Sequence, residues 1–346
     1  MVSQVKDVAS RERVAMLPGE SAANPPVEFP QERFHCLLDL QPDHLVPERY
    51  LQTGAGQTMP GLQLVVNPFC SFMRKGELPA KIMDSGLLEN FAQQGQMAWV
   101  NDRATDALHP FWLGPRCSAA LHNLHPGDPV PQSLPAELRS VLLVAGVLVE
   151  QGQDSMFGTA WSDAVDRATV LFQQQGYTPV GRLIHPFHLA ALRRYYRCLI
   201  RTGHFRLGDA QSPRRYIAHN ESVARFFHHH LTPMVARVAG EALKPSYVYV
   251  VSYQGGASLE KHTDREQCEF SVSLCLDYSP EPRLQTPWPL QLQTKSGMVT
   301  VFQGIGDGLL YRGRELPHSR QPLPKGQTST SIFFHYVCKD FCGPLD

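Results

Sequence analysis

Two histidines and one aspartate towards the C-terminal end are the residues of this chain best suited to chemistry. The stretch Tyr253-Gln-Gly-Gly-Ala-Ser-Leu-Glu-Lys-His262-Thr-Asp264 is followed, 54 residues after Asp264, by His318 in Glu-Leu-Pro-His-Ser-Arg. In an extended segment, residues two apart project to the same side, so His262 and Asp264 can offer an imidazole and a carboxylate to one ion. With His318 as the third donor, the set is two histidines and a carboxylate, which suits Fe(II) and leaves three coordination positions open. Neither G-x-S-x-G nor G-x-x-x-x-G-K-[ST] occurs, which argues against a serine hydrolase and a P-loop enzyme.

These donors need a rigid frame, and the pattern after Pro245 supplies one. Tyr247, Tyr249, Val251 and Tyr253 alternate with smaller residues, as do Phe270, Val272, Leu274 and Leu276. Leu290 to Gln293, Met298 to Gln303, Gly308 to Arg312 and Thr330 to Val337 continue as strands, with Gly304 to Gly308 as a turn. Short strands at this density predict a sandwich or jelly roll, and His318, after the Leu309 to Arg312 strand, is placed to lie beside the first pair.

Upstream the period is helical. A helix is expected from Ser133 or Pro135 to Gly152, a second over Ser162 to Gln175, and a third over Phe187 to Arg201. The third puts Leu189, Leu192, Tyr196 and Leu199 on one stripe and Arg193, Arg194, Arg197 and Arg201 on its other sides, read as a solvated basic face. Asn220 is the expected N-cap of a fourth helix that ends at Ala239 before Gly240. The triple histidine at 228–230 lies within it, and consecutive helical residues diverge too far to share a metal. Lys81 to Gln96 is the clearest helical stretch of an otherwise Pro- and Gly-rich region, and the helices are expected to cover one outer face of the sheet.

At 42% apolar and 18% charged residues, the chain belongs with globular proteins able to bury a core. Lys plus Arg equals Asp plus Glu at 32 each, so no overall field favours nucleic acid or a membrane surface, and neither is expected as a partner. The charged N-terminus lacks the apolar run of a secretory signal, and Val141 to Val149 is too short to span a bilayer, so a cytoplasmic location is expected. The eight cysteines are read as reduced thiols; Cys338 and Cys342 form a C-x-x-x-C pair with no second pair of that form.

The run Tyr253-x-x-Gly-Ala-x-Leu-x-x-His262-x-Asp264, followed by a period-two strand, Gly306-Asp-Gly-Leu-Leu-Tyr-Arg-Gly313 and His318, resembles the iron- and 2-oxoglutarate-dependent oxygenases, in particular their prolyl-hydroxylase-like branch. The resemblance covers about residues 245–337. It implies an α+β fold with a double-stranded β-helix (jelly-roll or cupin-like) core. It further implies Fe(II) on His262, Asp264 and His318, with 2-oxoglutarate and dioxygen as cosubstrates and succinate and carbon dioxide as products. Hydroxylation of an unactivated C–H bond in an amino acid, peptide or natural-product intermediate is the implied outcome; desaturation, ring closure and epoxidation share the ligands. The related halogenases replace the carboxylate by a small residue, so Asp264 argues against halogenation.

The family's basic anchor for the far carboxylate of 2-oxoglutarate, about ten residues past the distal histidine, falls here among Gln327, Thr328 and Ser329. Arg320 is the first substitute, on the same strand face as His318, then Arg312 and Lys325, with hydroxyl bonds from Tyr253 and Thr330. Residues 1–33 are read as an N-terminal arm, 34–180 as an α-rich region that supplies a substrate lid, and 181–346 as the oxygenase domain. Trp99, His109, Trp112 and Arg116 are the lid residues of interest, and Arg265, Glu266 and Gln267 those of the pocket mouth. The competing readings are a non-catalytic metal- or 2-oxoglutarate-binding sensor and a cupin-like metalloenzyme, the latter disfavoured because cupins usually supply more histidines.

Overall fold

The computed structural model describes residues 32–51, 63–73, 77, 79–82, 84–152 and 158–346; the expected N-terminal arm lies almost wholly outside them. In chain order the elements are α1 (Glu48–Leu51), β1 (Leu64–Val66), β2 (Cys70–Met73), β3 (Met97–Asp102), β4 (Ala107–Trp112), α2 (Gly114–Leu121), α3 (Ala136–Val144), β5 (Leu148–Glu150), α4 (Gly158–Gln175) and β6 (Tyr177–Val180). There follow α5 (Pro186–Arg201), β7 (Arg206–Leu207), β8 (Arg215–His219), α6 (Ser222–Ala239), β9 (Leu243–Gln254), β10 (Leu259–His262) and β11 (Phe270–Ser279). The last five are β12 (Leu290–Thr294), β13 (Gly297–Val301), β14 (Gly308–Tyr311), β15 (His318–Arg320) and β16 (Thr328–Cys338).

Two antiparallel sheets form the C-terminal frame. The larger runs β6-β14-β11-β16-β9-β8-β7 and the smaller β10-β15-β12-β13. In most antiparallel sheets one face meets water, yet β11 is buried along nearly its whole length and β16 along most of it. Helices α5 and α6 cover one face of the large sheet, as expected, and on the other Leu309 and Tyr311 of β14 pack with Leu290 and Leu292 of the small sheet. The strands expected from alternation all form.

Four expectations are corrected. Lys81 to Gln96 is not an α-helix: Asp84 accepts from the Gly86 N–H and only a 3-10 turn, Ser85–Leu88, follows, while Phe34 bridges Phe91 and Ala92 donates to the Phe34 carbonyl. The helix predicted to reach Gly152 stops at Val144, because Gly146 adopts a left-handed backbone and Leu148–Glu150 pairs as a strand with Leu64–Val66. Glu221, not Asn220, caps α6, its carboxylate accepting from the Val223 and Ala224 N–H groups, while Gly240 closes the helix as expected. Residues 34–180 are less α-rich than predicted, since β2, β3 and β4 make a three-stranded sheet there.

Nor is the basic face of α5 simply solvated. Arg193 is wholly buried and donates to Asp277 and Glu281, at 3.0 and 2.6 Å, and to the Leu45 carbonyl; Arg197 joins Asp277, and Arg194 pairs with Asp43. With Arg49 on Asp307 at 2.9 Å, these contacts strap residues 43–49 to the C-terminal frame. Trp99, His109 and Trp112 are core residues and do not line the cavity described below, and Arg116 pairs at the surface with Glu137. The three consecutive histidines diverge: His228 reaches the His335 carbonyl, His229 faces solvent and His230 accepts from the Leu108 N–H. All eight cysteines are free thiols. No helix among the described residues is long and apolar enough to cross a membrane.

Candidate metal centre

Strand register brings the donors together. β10 and β15 are antiparallel neighbours in which His262 lies directly opposite His318, a pairing that sets their side chains next to each other. The ring centroids are 4.4 Å apart. Asp264 follows β10, its N–H held by the Gly313 carbonyl at 2.9 Å. Its Oδ1 lies 3.8 Å from His262 Nε2 and 3.5 Å from His318 Nε2. One donor atom from each of the three residues falls within 4.8 Å of the others.

The outer nitrogen of each imidazole decides what the inner one can do. His262 Nδ1 contacts the Glu260 carbonyl at 2.8 Å and His318 Nδ1 the Leu316 carbonyl at 3.0 Å. A carbonyl only accepts, so both Nδ1 atoms carry a proton, and in the neutral ring the lone pair is on the inward Nε2. That is the tautomer a metal-bound histidine takes when its second nitrogen is tied down. Burial holds the His318 imidazolium below the ordinary histidine range, against the pull of Asp264, and so favours the neutral, ligating form. Two imidazoles, one carboxylate and no thiolate fit a divalent transition metal with free positions.

Gly313 is dictated by this closeness. A Cβ there would fall inside contact distance of Asp264 Oδ2, 2.6 Å from the Cys268 carbonyl and 2.7 Å from Ser271 Oγ. The triad opens into a cavity of about 480 Å³ walled by Tyr247, Tyr249, Val251 and Tyr253 of β9 and by Phe333 and His335 of β16.

The chain is similar to solved iron- and 2-oxoglutarate-dependent oxygenases. One is the non-haem α-ketoglutarate-dependent epimerase SnoN of nogalamycin biosynthesis, at 16% identity over 51% of this chain and 84% of that one, TM-score 0.43. A Pseudomonas putida prolyl-4-hydroxylase aligns at 14% identity over 51% and 99%, TM-score 0.42. HygX from Streptomyces hygroscopicus, solved with nickel and 2-oxoglutarate, aligns at 13% over 51% and 87%, TM-score 0.41. No protein-family model and no curated protein matches the chain. The chemical reading rests on the side chains themselves.

The remaining expected site residues separate into two groups. Tyr253 lines the cavity, and Arg320, two residues past His318 on β15, is buried near the centre without lining that cavity. Arg320, 5% exposed, donates to the Trp288 carbonyl at 2.8 Å and to Gln303 at 3.4 Å, and its guanidinium lies 4.6 Å from the Trp288 ring centre. Its Nε has no hydrogen-bond partner, and among the described residues no carboxylate is within ion-pair distance. Burial pulls this guanidinium below its ordinary value, and its electrostatic neighbours are phenols and a thiol, those of Tyr253, Cys275, Tyr311 and Tyr278. Tyr253 is buried on the cavity wall and accepts from Arg215 at 3.2 Å.

Arg312, Thr330 and Lys325 are not brought to the cavity. Arg312 sits over Phe172 and Phe270 and beside Glu315. The Thr330 hydroxyl donates to Ser252, which alternates with the cavity-lining Val251 and Tyr253 and so lies on the opposite sheet face. Lys325 is exposed. Of the three residues expected at the pocket mouth, Arg265 lines the cavity, its guanidinium 5.0 Å from the Tyr247 ring centre, whereas Glu266 and Gln267 do not line it. Sequence reasoning missed Arg215, whose charge Asp209 neutralises with contacts at 3.1 and 3.0 Å, and it missed Ser271 and His335 behind Asp264.

Proposed function

We propose that this protein is an oxygenase that uses Fe(II), 2-oxoglutarate and dioxygen to hydroxylate an unactivated C–H bond of a small molecule or peptide, on a double-stranded β-helix formed by its two C-terminal sheets. The observation that carries the reading is the convergence of His262 Nε2, His318 Nε2 and Asp264 Oδ1 near a buried arginine that has no carboxylate partner among the described residues. Iron held by His262, Asp264 and His318 would supply dioxygen activation coupled to decarboxylation of 2-oxoglutarate to succinate and carbon dioxide.

The protein's own part is binding and orientation. The Glu260 and Leu316 carbonyls keep both imidazoles turned with Nε2 towards Asp264, and burial favours the neutral form of His318. Arg320 is two residues beyond His318 on one strand, hence roughly 7 Å away along the same face. At that spacing it can meet the far carboxylate of a bound 2-oxoglutarate, which supplies the anion that a desolvated guanidinium needs. Tyr253, donating its phenolic proton, can add a hydrogen bond beside it. The aromatic wall of Tyr247, Tyr249 and Phe333 keeps water from the reacting carbon and gives a flat or aliphatic substrate a surface to lie on. The region before residue 181 is proposed as a support of this domain, without the lid residues first suggested.

Anaerobic addition of Fe(II) and 2-oxoglutarate should produce the weak visible charge-transfer absorption of the chelate, and aeration should release succinate. Absorption without succinate across a panel of amino acids and peptides would favour the sensor reading. Folded protein that gives neither would exclude both.

A further inference from the structure

The two oxygens of Asp264 have different neighbours. Oδ1 faces the imidazole Nε2 atoms, whereas Oδ2 accepts a hydrogen bond from Ser271 Oγ at 2.8 Å. Ser271 is fully buried, and its hydroxyl has one proton to give. With that proton on Oδ2, the contact of 2.9 Å between Ser271 Oγ and His335 Nδ1 requires the imidazole to donate. A directed chain results: His335 Nδ1–H to Ser271 Oγ–H to Asp264 Oδ2.

The fold builds this chain deliberately. β11 and β16 pair with Ser271 directly opposite His335, so the two side chains are cross-strand neighbours. His335 is itself fixed: its ring packs on Tyr247 at 4.7 Å, and its carbonyl accepts from His228 Nε2 at 2.7 Å. Gly313 makes room for the carboxylate on that side. A carboxylate gripped at one oxygen cannot turn freely about its Cβ–Cγ bond, so the grip on Oδ2 aims Oδ1.

A second metal site is the competing explanation, because donor atoms of Asp264, Cys268 and His335 also lie within 4.8 Å of one another. The donors are already engaged, however. Asp264 and His335 are joined through Ser271, and Cys268 Sγ contacts the Tyr247 hydroxyl at 3.1 Å. We infer that Ser271 and His335 are positioning residues that orient the Asp264 carboxylate for the metal, an inference that rests on the triad being the metal centre.

The test is titration of the full-length protein with Co(II), followed by calorimetry and by the ligand-field absorption of the bound ion, in the wild type, Ser271→Ala, His335→Leu and His335→Asn. Asparagine keeps an N–H donor near the position of Nδ1; leucine removes it. The wild type and His335→Asn should bind one Co(II) per chain with similar affinity. Ser271→Ala and His335→Leu should bind about 10- to 100-fold more weakly, with altered absorption, while circular dichroism reports a retained fold. Equal Co(II) affinity in all four folded proteins overturns the positioning role and leaves the metal centre standing. Two Co(II) per chain, one lost in Cys268→Ala, also overturns it. Failure of the wild type to bind Co(II) sinks the metal centre itself, and the two failures are thereby distinct.

Discussion

At Arg320 a full positive charge sits in the interior with hydrogen bonds to one carbonyl and one amide, an unpartnered Nε, and no anion beside it among the described residues. An arrangement of that kind is destabilising unless a ligand completes it. Two opposite effects should therefore follow from Arg320→Met. Affinity for 2-oxoglutarate, read from the charge-transfer absorption, should fall by about 100-fold or more, as expected when one member of a buried ion pair is removed. In the absence of 2-oxoglutarate, the melting temperature should be equal to or above that of the wild type. Unchanged 2-oxoglutarate affinity would transfer the anchor role to another cation, with Arg215 next in line at the cavity wall.

Between β14 and β15 the chain must pass against Asp264, and only a residue without a side chain leaves that carboxylate where it is. Gly313→Ala should displace it and reduce Co(II) affinity by about 10-fold or more, with 2-oxoglutarate binding to any metal-loaded fraction little changed. Wild-type affinity in this variant would mean that the turn yields in place of the carboxylate. The elements around the centre were unevenly legible. β9, β11 and β16 have long period-two patterns and could be read directly, and His262 and Asp264 declare themselves by their spacing. β10 and β15 have four and three residues, too few for any period to emerge, although they hold the histidines. β3 and β4 escaped notice because their burial is nearly continuous, so polar and apolar residues do not alternate. Ser271 and His335 lie on two of the most legible strands, 64 residues apart, and their meeting depends on register, which no linear pattern specifies.

Across the molecule, buried histidines make stability depend on acidity. Burial lowers His185 to about 4 and His230 to about 3, and holds His109, His188 and His228 well below the ordinary value of 6.5. Folded-state values that are depressed mean that the unfolded chain binds more protons between 6.5 and the folded values, so this stability is present above pH 6.5 and lost as pH falls towards 4. At pH 5 each of His185 and His230 removes about 2 kcal/mol. Urea denaturation of the metal-free protein should show a midpoint that drops steadily from pH 7 to pH 5 at constant slope; a midpoint independent of pH would contradict this account. The participation of β6, Tyr177–Val180, in the large sheet has a practical consequence for anyone seeking a shorter version of the protein. Cutting the chain at residue 181 would bare the hydrogen-bonding rim of β14 and leave Arg193 and Asp307 without their tethers to residues 45 and 49, inviting self-association through that rim. A shortened version that keeps its native architecture has to begin well before the stretch that carries the ligands.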